Sequence, residues 1–248
     1  MFRTGMGYTR LRVKIGILII GSLWWRGERR ATWRASRLTI PGAVPVRTSI
    51  HYGRLSSTKT YTMTFAPPGA ASVALVVPCR IEGDHYALAA EADELWGAED
   101  DKPTVRGKIA TGWGSLGALF RADAPEAEVA AWTAYFKNCG GKALAVVDQD
   151  GLLNIPWPQR LDELPLECDV LLATANKETD AVSPEQVAEI WITKRDGEYF
   201  FENVRAGIRT PDDERIWRRL ATDAVWIEEQ ASDHAPAIGQ LRQEYPGT

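Results

Sequence analysis

Four arginines, Arg26, Arg30, Arg34 and Arg37, recur at spacings of four, four and three residues. On a helix that spacing lines them along one face. The guanidinium fork matches carboxylate and phosphate oxygens, so such a stripe beside a turn is suited to holding an anion. Just upstream, Gly21-Ser22-Leu23 interrupts an apolar run, Ile15-Gly16-Ile17-Leu18-Ile19-Ile20. A glycine turn between a buried strand and a helix exposes backbone N–H groups, which bind the same oxygens. Gly21, Ser22, Leu23, Arg26 and Arg30 therefore describe a site for a small anionic metabolite, with Arg26 or Arg30 as counter-charge. Like charges on one helix face repel by roughly 0.2–0.5 kcal/mol per neighbouring pair. Either a bound anion or acidic groups of the protein itself must offset them, and pairing within the fold is the commoner outcome.

The best single carboxylate is Glu91. In a helix over Tyr86 to Trp96, it shares a stripe with Leu88, Ala92 and Leu95. Desolvation beside an apolar face would raise its pKa towards the range of a general acid or base. The ordinary alternative is a carboxylate at the edge of the stripe, in water. Glu99, Asp100 and Asp101 read as a solvated helix end. His51-Tyr52-Gly53-Arg54 puts a base, a hydroxyl and a cation beside a turn, and Arg54 joins the anion site as a further binding residue. Ser22 lacks the Gly-x-Ser-x-Gly elbow of acyl-transfer enzymes. Cys79 precedes Arg80, whose charge would lower a thiol pKa, but a buried inert cysteine fits the apolar strand before it better. Cys79, Cys139 and Cys168 contain no Cys-x-x-Cys, and His51, His85 and His234 are scattered. No zinc spacing can be built from them, and neither a metal nor a cofactor is expected. The tryptophans read as core rather than as a stacking platform.

The elements that must position these residues are legible in outline. Ile15–Ile20 is a buried central strand, and 27–38 a helix. Strands follow at 46–51 and 60–65, with Tyr61, Met63 and Phe65 on one face. A buried strand over 71–77 is stopped by Pro78. A helix over 86–96, an extended stretch over 105–121 and a helix from Pro125 to about Asn138 come next. Strand segments are expected at 143–147, 152–155 and 169–175. Ser183-Pro184-Glu185-Gln186 carries the capping-box pattern of a helix start. Residues 190–193, Asp196-Gly197 and 199–204 read as a β-hairpin, and Thr210-Pro211-Asp212-Asp213-Glu214 starts another helix. The expected fold is α+β, with a mixed sheet able to curl towards a barrel and flanking helices. Pro156, Pro158 and Pro165 mark the best boundary. The reading is a flexible extension over 1–12, a main α+β domain over 13–155 and a smaller α+β part over 156–248.

The strand ending in Gly21-Ser22-Leu23 resembles the opening of gamma-glutamylcyclotransferase-like proteins. There a first strand ends in a Tyr-Gly-Ser-Leu type turn. The resemblance implies that the turn's backbone holds a glutamyl carboxylate, and that a glutamate later in the chain is the base that cyclises the substrate. The likeness spans at most residues 13–120 and rests on Gly21, Ser22 and Leu23. Ile20 stands where the family has Tyr, which removes a hydroxyl from beside the site. No glutamate is matched by motif.

Charge narrows the other function classes. Of 29 Lys and Arg, 12 fall within residues 1–60 beside a single acid, Glu28, whereas the other 32 of 33 acids lie beyond. The halves can neutralise each other, or the basic part can meet an acidic protein partner or nucleic acid. No helix-turn-helix, zinc finger or ribonucleoprotein pattern is present, and the overall charge is −4, so nucleic acid is the less favoured partner. The basic, then apolar, N-terminus resembles a signal peptide, but the apolar run leads straight into Arg26-Gly27-Glu28-Arg29-Arg30 without a small-residue cleavage site. It is also too short to span a membrane. A cytoplasmic protein without membrane partners is the expectation. Three functions stay open: an enzyme doing cyclotransferase-like proton transfer on a glutamyl-type amine or amide, a non-catalytic interaction module, and a nucleotide- or phosphate-binding domain.

Overall fold

A computed structural model describes residues 12–66, 72–99, 107–179 and 181–247. The expected flexible extension at 1–12 lies outside the described residues except for Arg12. The chain is α+β. Strand β1 (Val13–Ile19) lies in a six-stranded mixed sheet of order β6-β8-β1-β5-β2-β7. The partners are β2 (Val44–Thr48), β5 (Ser72–Gly83), β6 (Gly114–Phe120), β7 (Gln159–Arg160) and β8 (Val170–Asn176). Only β1 and β8 pair in parallel, Ile15 against Val170 and Ile17 against Leu172; the other pairs are antiparallel. β1 is central, as its unbroken apolar run requires: Ile15, Ile17, Leu18 and Ile19 are all at most 2% exposed, because both faces of the strand are covered. The sheet is open, ending at β6 and β7, and does not close into a barrel.

Pro78 does not stop β5. It stands opposite Gly16, where the pairing with β1 shifts register between Lys14 and Gly16. An irregularity of this kind accommodates a residue without an N–H, so the strand continues to Gly83. Gly16 itself has no room for a side chain, since a Cβ there would lie 2.7 Å from Cys168 Sγ.

Three helices are interspersed among the strands of the sheet: α1 (Arg29–Arg37), α2 (His85–Glu99) and α3 (Glu126–Asn138), with α1 and α2 in contact with β5. The hairpin of β3 (Ile50–Leu55) and β4 (Tyr61–Phe65) forms a second sheet that contacts β5 and β8, and α4 as well. Four further helices complete the chain: α4 (Pro184–Lys194), α5 (Glu198–Arg205), α6 (Asp213–Ala221) and α7 (Ala224–Glu244).

Three further expectations change. β7 and β8 lie beyond the boundary drawn at 156, yet both pair into the main sheet, so that sheet runs to Asn176. The hairpin expected over 190–204 is instead α4 and α5. Its apolar residues suit a strand locally, but Ser183 and Gln186 form both halves of a capping box and commit the segment to a helix. Arg195, at φ 52°, ends that helix in the left-handed region. Trp191, Phe200 and Phe201 then reach the core from helical positions, all at most 1% exposed. Residues 143–155 form isolated bridges rather than a regular hairpin.

Asp213, at the start of α6, is buried with Thr210 Oγ1 donating to its Oδ1 at 2.5 Å. Arg209 Nη1 is 3.6 Å from Oδ2, but neither atom has a hydrogen-bond partner among the described residues; Arg209 Nη2 bonds Glu244 at 2.7 Å instead. Burial therefore wins and pushes the Asp213 pKa up to about 6 from 3.8. A raised acid binds its proton more tightly when folded. Its stabilising effect is complete below pH 3.8 and is lost as pH rises through 6, worth about 3 kcal/mol over that interval. Urea unfolding of wild type and Asp213→Asn from pH 3.5 to 8 is expected to show the wild type losing about that much relative to the variant; parallel pH profiles would show that Asp213 does not titrate this way.

Candidate functional site

The β1–α1 turn is built as one compact bend. Trp24 N–H donates to the Gly21 carbonyl and Arg26 N–H to the Ser22 carbonyl, both at 3.0 Å. The Gly21, Ser22 and Leu23 amides donate to no described group. Arg34 Nη1 fastens the turn from α1, donating to the Leu23 and Arg26 carbonyls at 2.6 and 3.0 Å. Beside the turn opens a cleft of about 730 Å³, within the size range of small-metabolite sites. Gly21, Ser22, Leu23, Arg26, Arg30 and Arg54 all line it.

Arg30 is a three-way clamp across the rim of this cleft. Its Nη1 donates to Ser22 Oγ at 3.0 Å, its Nε to the Ala98 carbonyl at 3.3 Å and its Nη2 to Glu99 Oε2 at 2.8 Å. The turn and the end of α2 are thus held together by one planar fork. Glu99, expected as part of a solvated helix end, is a cleft-lining carboxylate whose side chain is 14% exposed. Asp100 and Asp101 lie outside the described residues.

Arg54 reaches the cleft because of a bulge. Tyr52 pairs with Met63 and Arg54 with Thr62, so two steps on β3 match one on β4 and Gly53 is the extra residue. Strict alternation would put Arg54 on the face of Tyr52, which is buried in the core; the bulge turns it to the other face. There its guanidinium lies 4.9 Å over the Trp113 ring, and Trp113 stacks on Trp96 at 5.1 Å. The guanidinium hydrogen-bonds no described residue. Burial lowers the Arg54 pKa, with Glu99 the largest charge acting the other way.

The opposite wall comes from elements far along the chain. Thr174 and Asn176 of β8, Lys177 and Thr179 beyond it, and Asp196, Glu198 and Tyr199 at the start of α5 line it. Asn176 Nδ2 donates to the Met63 carbonyl at 3.1 Å, and Met63 N–H donates to Tyr199 Oη at 3.1 Å. Neither Tyr199 nor Trp113 was singled out as a binding residue in sequence, because each reads as one more core aromatic. Glu99 was hidden by its two acidic neighbours.

Glu91, the acid/base candidate from sequence, lies outside the cleft. It is 1% exposed and accepts from Arg37 Nη2 at 2.6 Å. Burial raises its pKa and the Arg37 hydrogen bond opposes that. The helical stripe that placed it towards the core is real, but the core there is the α1–α2 contact, where Arg37 meets it. The arginine stripe is thereby largely consumed within the protein: Arg30 by Glu99 and Ser22, Arg34 by turn carbonyls, Arg37 by Glu91. Arg26 remains exposed at the cleft mouth. His51 Nε2 lies 3.3 Å from Glu178 Oε1 and does not line the cleft. Ser22 bonds an arginine rather than a base. Cys79 is buried and its thiol pushed well up by desolvation, with Glu91 adding to the rise.

The chain matches no protein-family model, no curated protein and no solved structure.

If Arg30 is the clamp, Arg30→Lys should cost about 2 kcal/mol despite keeping the charge, because one ammonium cannot direct three separate bonds. Urea denaturation measures this; an unchanged midpoint would mean the three contacts hold nothing together.

Proposed function

We propose that the protein is an enzyme acting on a small glutamyl-type amine or amide, by proton transfer that closes the substrate on itself. The observation that carries this reading is the pairing, within one cleft, of an anion-binding half with a carboxylate. The Gly21–Leu23 amides and the Arg54 guanidinium, none of which hydrogen-bonds a described residue, suit the substrate's α-carboxylate. Glu99, oriented by Arg30 at 2.8 Å, suits the proton transfer.

In this reading the substrate's own α-amine attacks its γ-carbonyl. The new C–N bond closes a five-membered lactam and the old C–N bond to the leaving amine breaks. Glu99 takes the proton from the attacking nitrogen and returns it to the departing one. Water and metal take no part in the balance. Fixing the carboxylate at the turn brings amine and carbonyl within one rigid frame, so orientation supplies part of the acceleration. Glu99 replaces Glu91 as the acid/base because it shares the cleft with the turn.

An interaction module is less well supported, because Arg30, Arg34 and Arg37 are satisfied internally. Three free cysteines fit a reducing, cytoplasmic setting. Among the described residues no helix is long and apolar enough to cross a membrane.

The test is release of 5-oxoproline from L-γ-glutamyl-L-alanine, followed by chromatography. Glu99→Gln is expected to lower kcat by about 100-fold or more, the range of a lost general acid–base, with the fold retained. Arg54→Met is expected to raise KM by about tenfold, as loss of a charged hydrogen bond does. Wild type that releases no product from this or any γ-glutamyl amine tried, or Glu99→Gln at full rate, would overturn the reading.

A further inference from the structure

The cleft contains a donor that neither the turn nor the arginines account for. Tyr199, the second residue of α5, sits so close to the turn that a Cβ on Gly21 would collide with its hydroxyl oxygen. Gly21 is thus needed for close approach, and what approaches is a side chain 178 residues away in sequence, between positions 21 and 199. The Tyr199 oxygen already accepts the Met63 N–H at 3.1 Å. That bond orients the phenol and uses one lone pair, but leaves the hydroxyl's own proton. The proton goes to no described group, and Tyr199 lines the cleft. Trp25 steadies the ring edge-on at 5.9 Å, and Trp25 Nε1 donates to Asn203 Oδ1 at 2.9 Å on the same helix. Asn203 Nδ2 in turn donates to the Tyr199 carbonyl at 2.8 Å. The phenol is therefore held in place from both ends, with its hydroxyl oxygen against the turn.

We infer that Tyr199 is a specificity-determining residue, whose hydroxyl donates to the ligand carboxylate held at the Gly21 turn and selects carboxylate over carboxamide. This rests on the reading of the cleft as a glutamyl-carboxylate site. The phenol stays a donor at neutral pH, since burial pushes its pKa up to about 12. A hydroxyl bonded to a charged acceptor discriminates more strongly than one bonded to a neutral acceptor, so a carboxylate gains more from Tyr199 than an amide does.

Steady-state kinetics with two substrates test it: L-γ-glutamyl-L-alanine, and the same compound with its glutamyl α-carboxylate converted to a carboxamide. Tyr199→Phe is expected to raise KM about tenfold for the carboxylate compound. Its kcat should stay within about threefold, and KM for the carboxamide compound should be unchanged to the same margin. A merely structural tyrosine would move both substrates together, and that result, or an unchanged KM, would overturn the inference while leaving the cleft reading intact. No 5-oxoproline from wild type would overturn the cleft reading and the inference with it. Gly21→Ala provides a second route that leaves residue 199 a tyrosine. Its new Cβ displaces the phenol, so it should reproduce the KM rise. Combined with Tyr199→Phe, where the nearest ring carbon lies 3.2 Å from that Cβ, it should add little further. Full additivity would mean the two residues do not act on the same group.

Discussion

Everything in the cleft depends on one planar fork, the Arg30 guanidinium, which joins the β1–α1 turn to the end of α2. Its bonds to Ser22, the Ala98 carbonyl and Glu99 hold two helix-flanking segments at a fixed separation. A lysine carries the same charge but not the same geometry. Arg26 precedes α1, and the three stripe arginines on the helix, Arg30, Arg34 and Arg37, do not destabilise it because each serves as a hydrogen-bond donor to neighbouring structure. Two of the basic residues of the first segment, Arg30 and Arg37, pair with carboxylates of α2, Glu99 and Glu91.

Because Arg30 is committed to the frame, the proposed reading takes its ligand-facing cation from elsewhere. Arg54 takes that place through a single-residue bulge at Gly53, and a stack of Trp113 on Trp96 supports it from behind. An aromatic platform holds a guanidinium without neutralising it, so the positive charge stays available to a ligand. The division is physical: Arg30 is paired to a carboxylate and fixes the frame, whereas Arg54 is stacked on an aromatic ring and is the cation the proposed reading assigns to binding.

Much of the frame was legible in local patterns. The continuous apolar run of β1, the helix after Gly27, the buried Trp96 and Trp191, and the Ser183–Gln186 capping box all rest on short-range physics, and the structure has each of them. All six residues proposed for the site line the cleft: Gly21 to Arg30 because strand, turn and helix are contiguous in sequence, and Arg54 because the bulge at Gly53 turns it there. The misreadings share a different cause. Glu91 was placed correctly on a core-facing stripe, but periodicity does not say which core, and Arg37 awaited it there. Glu99 reads as solvated in sequence because its neighbours are acidic, although the helix carries it back to Arg30. Residues 190–204 have apolar runs compatible with a strand, and the helix cap upstream outweighed them.

The amino-acid sequence by itself determined the central strand, the amide-bearing turn after it and the arginine helix beyond, because hydrophobic period, glycine and helical spacing act within a few residues. Only the tertiary structure decided which carboxylate and which hydroxyl meet that turn. Glu99 and Tyr199 arrive from α2 and α5 through packing contacts between distant segments, and no periodicity in a chain encodes which of its many acids and phenols such packing will bring together.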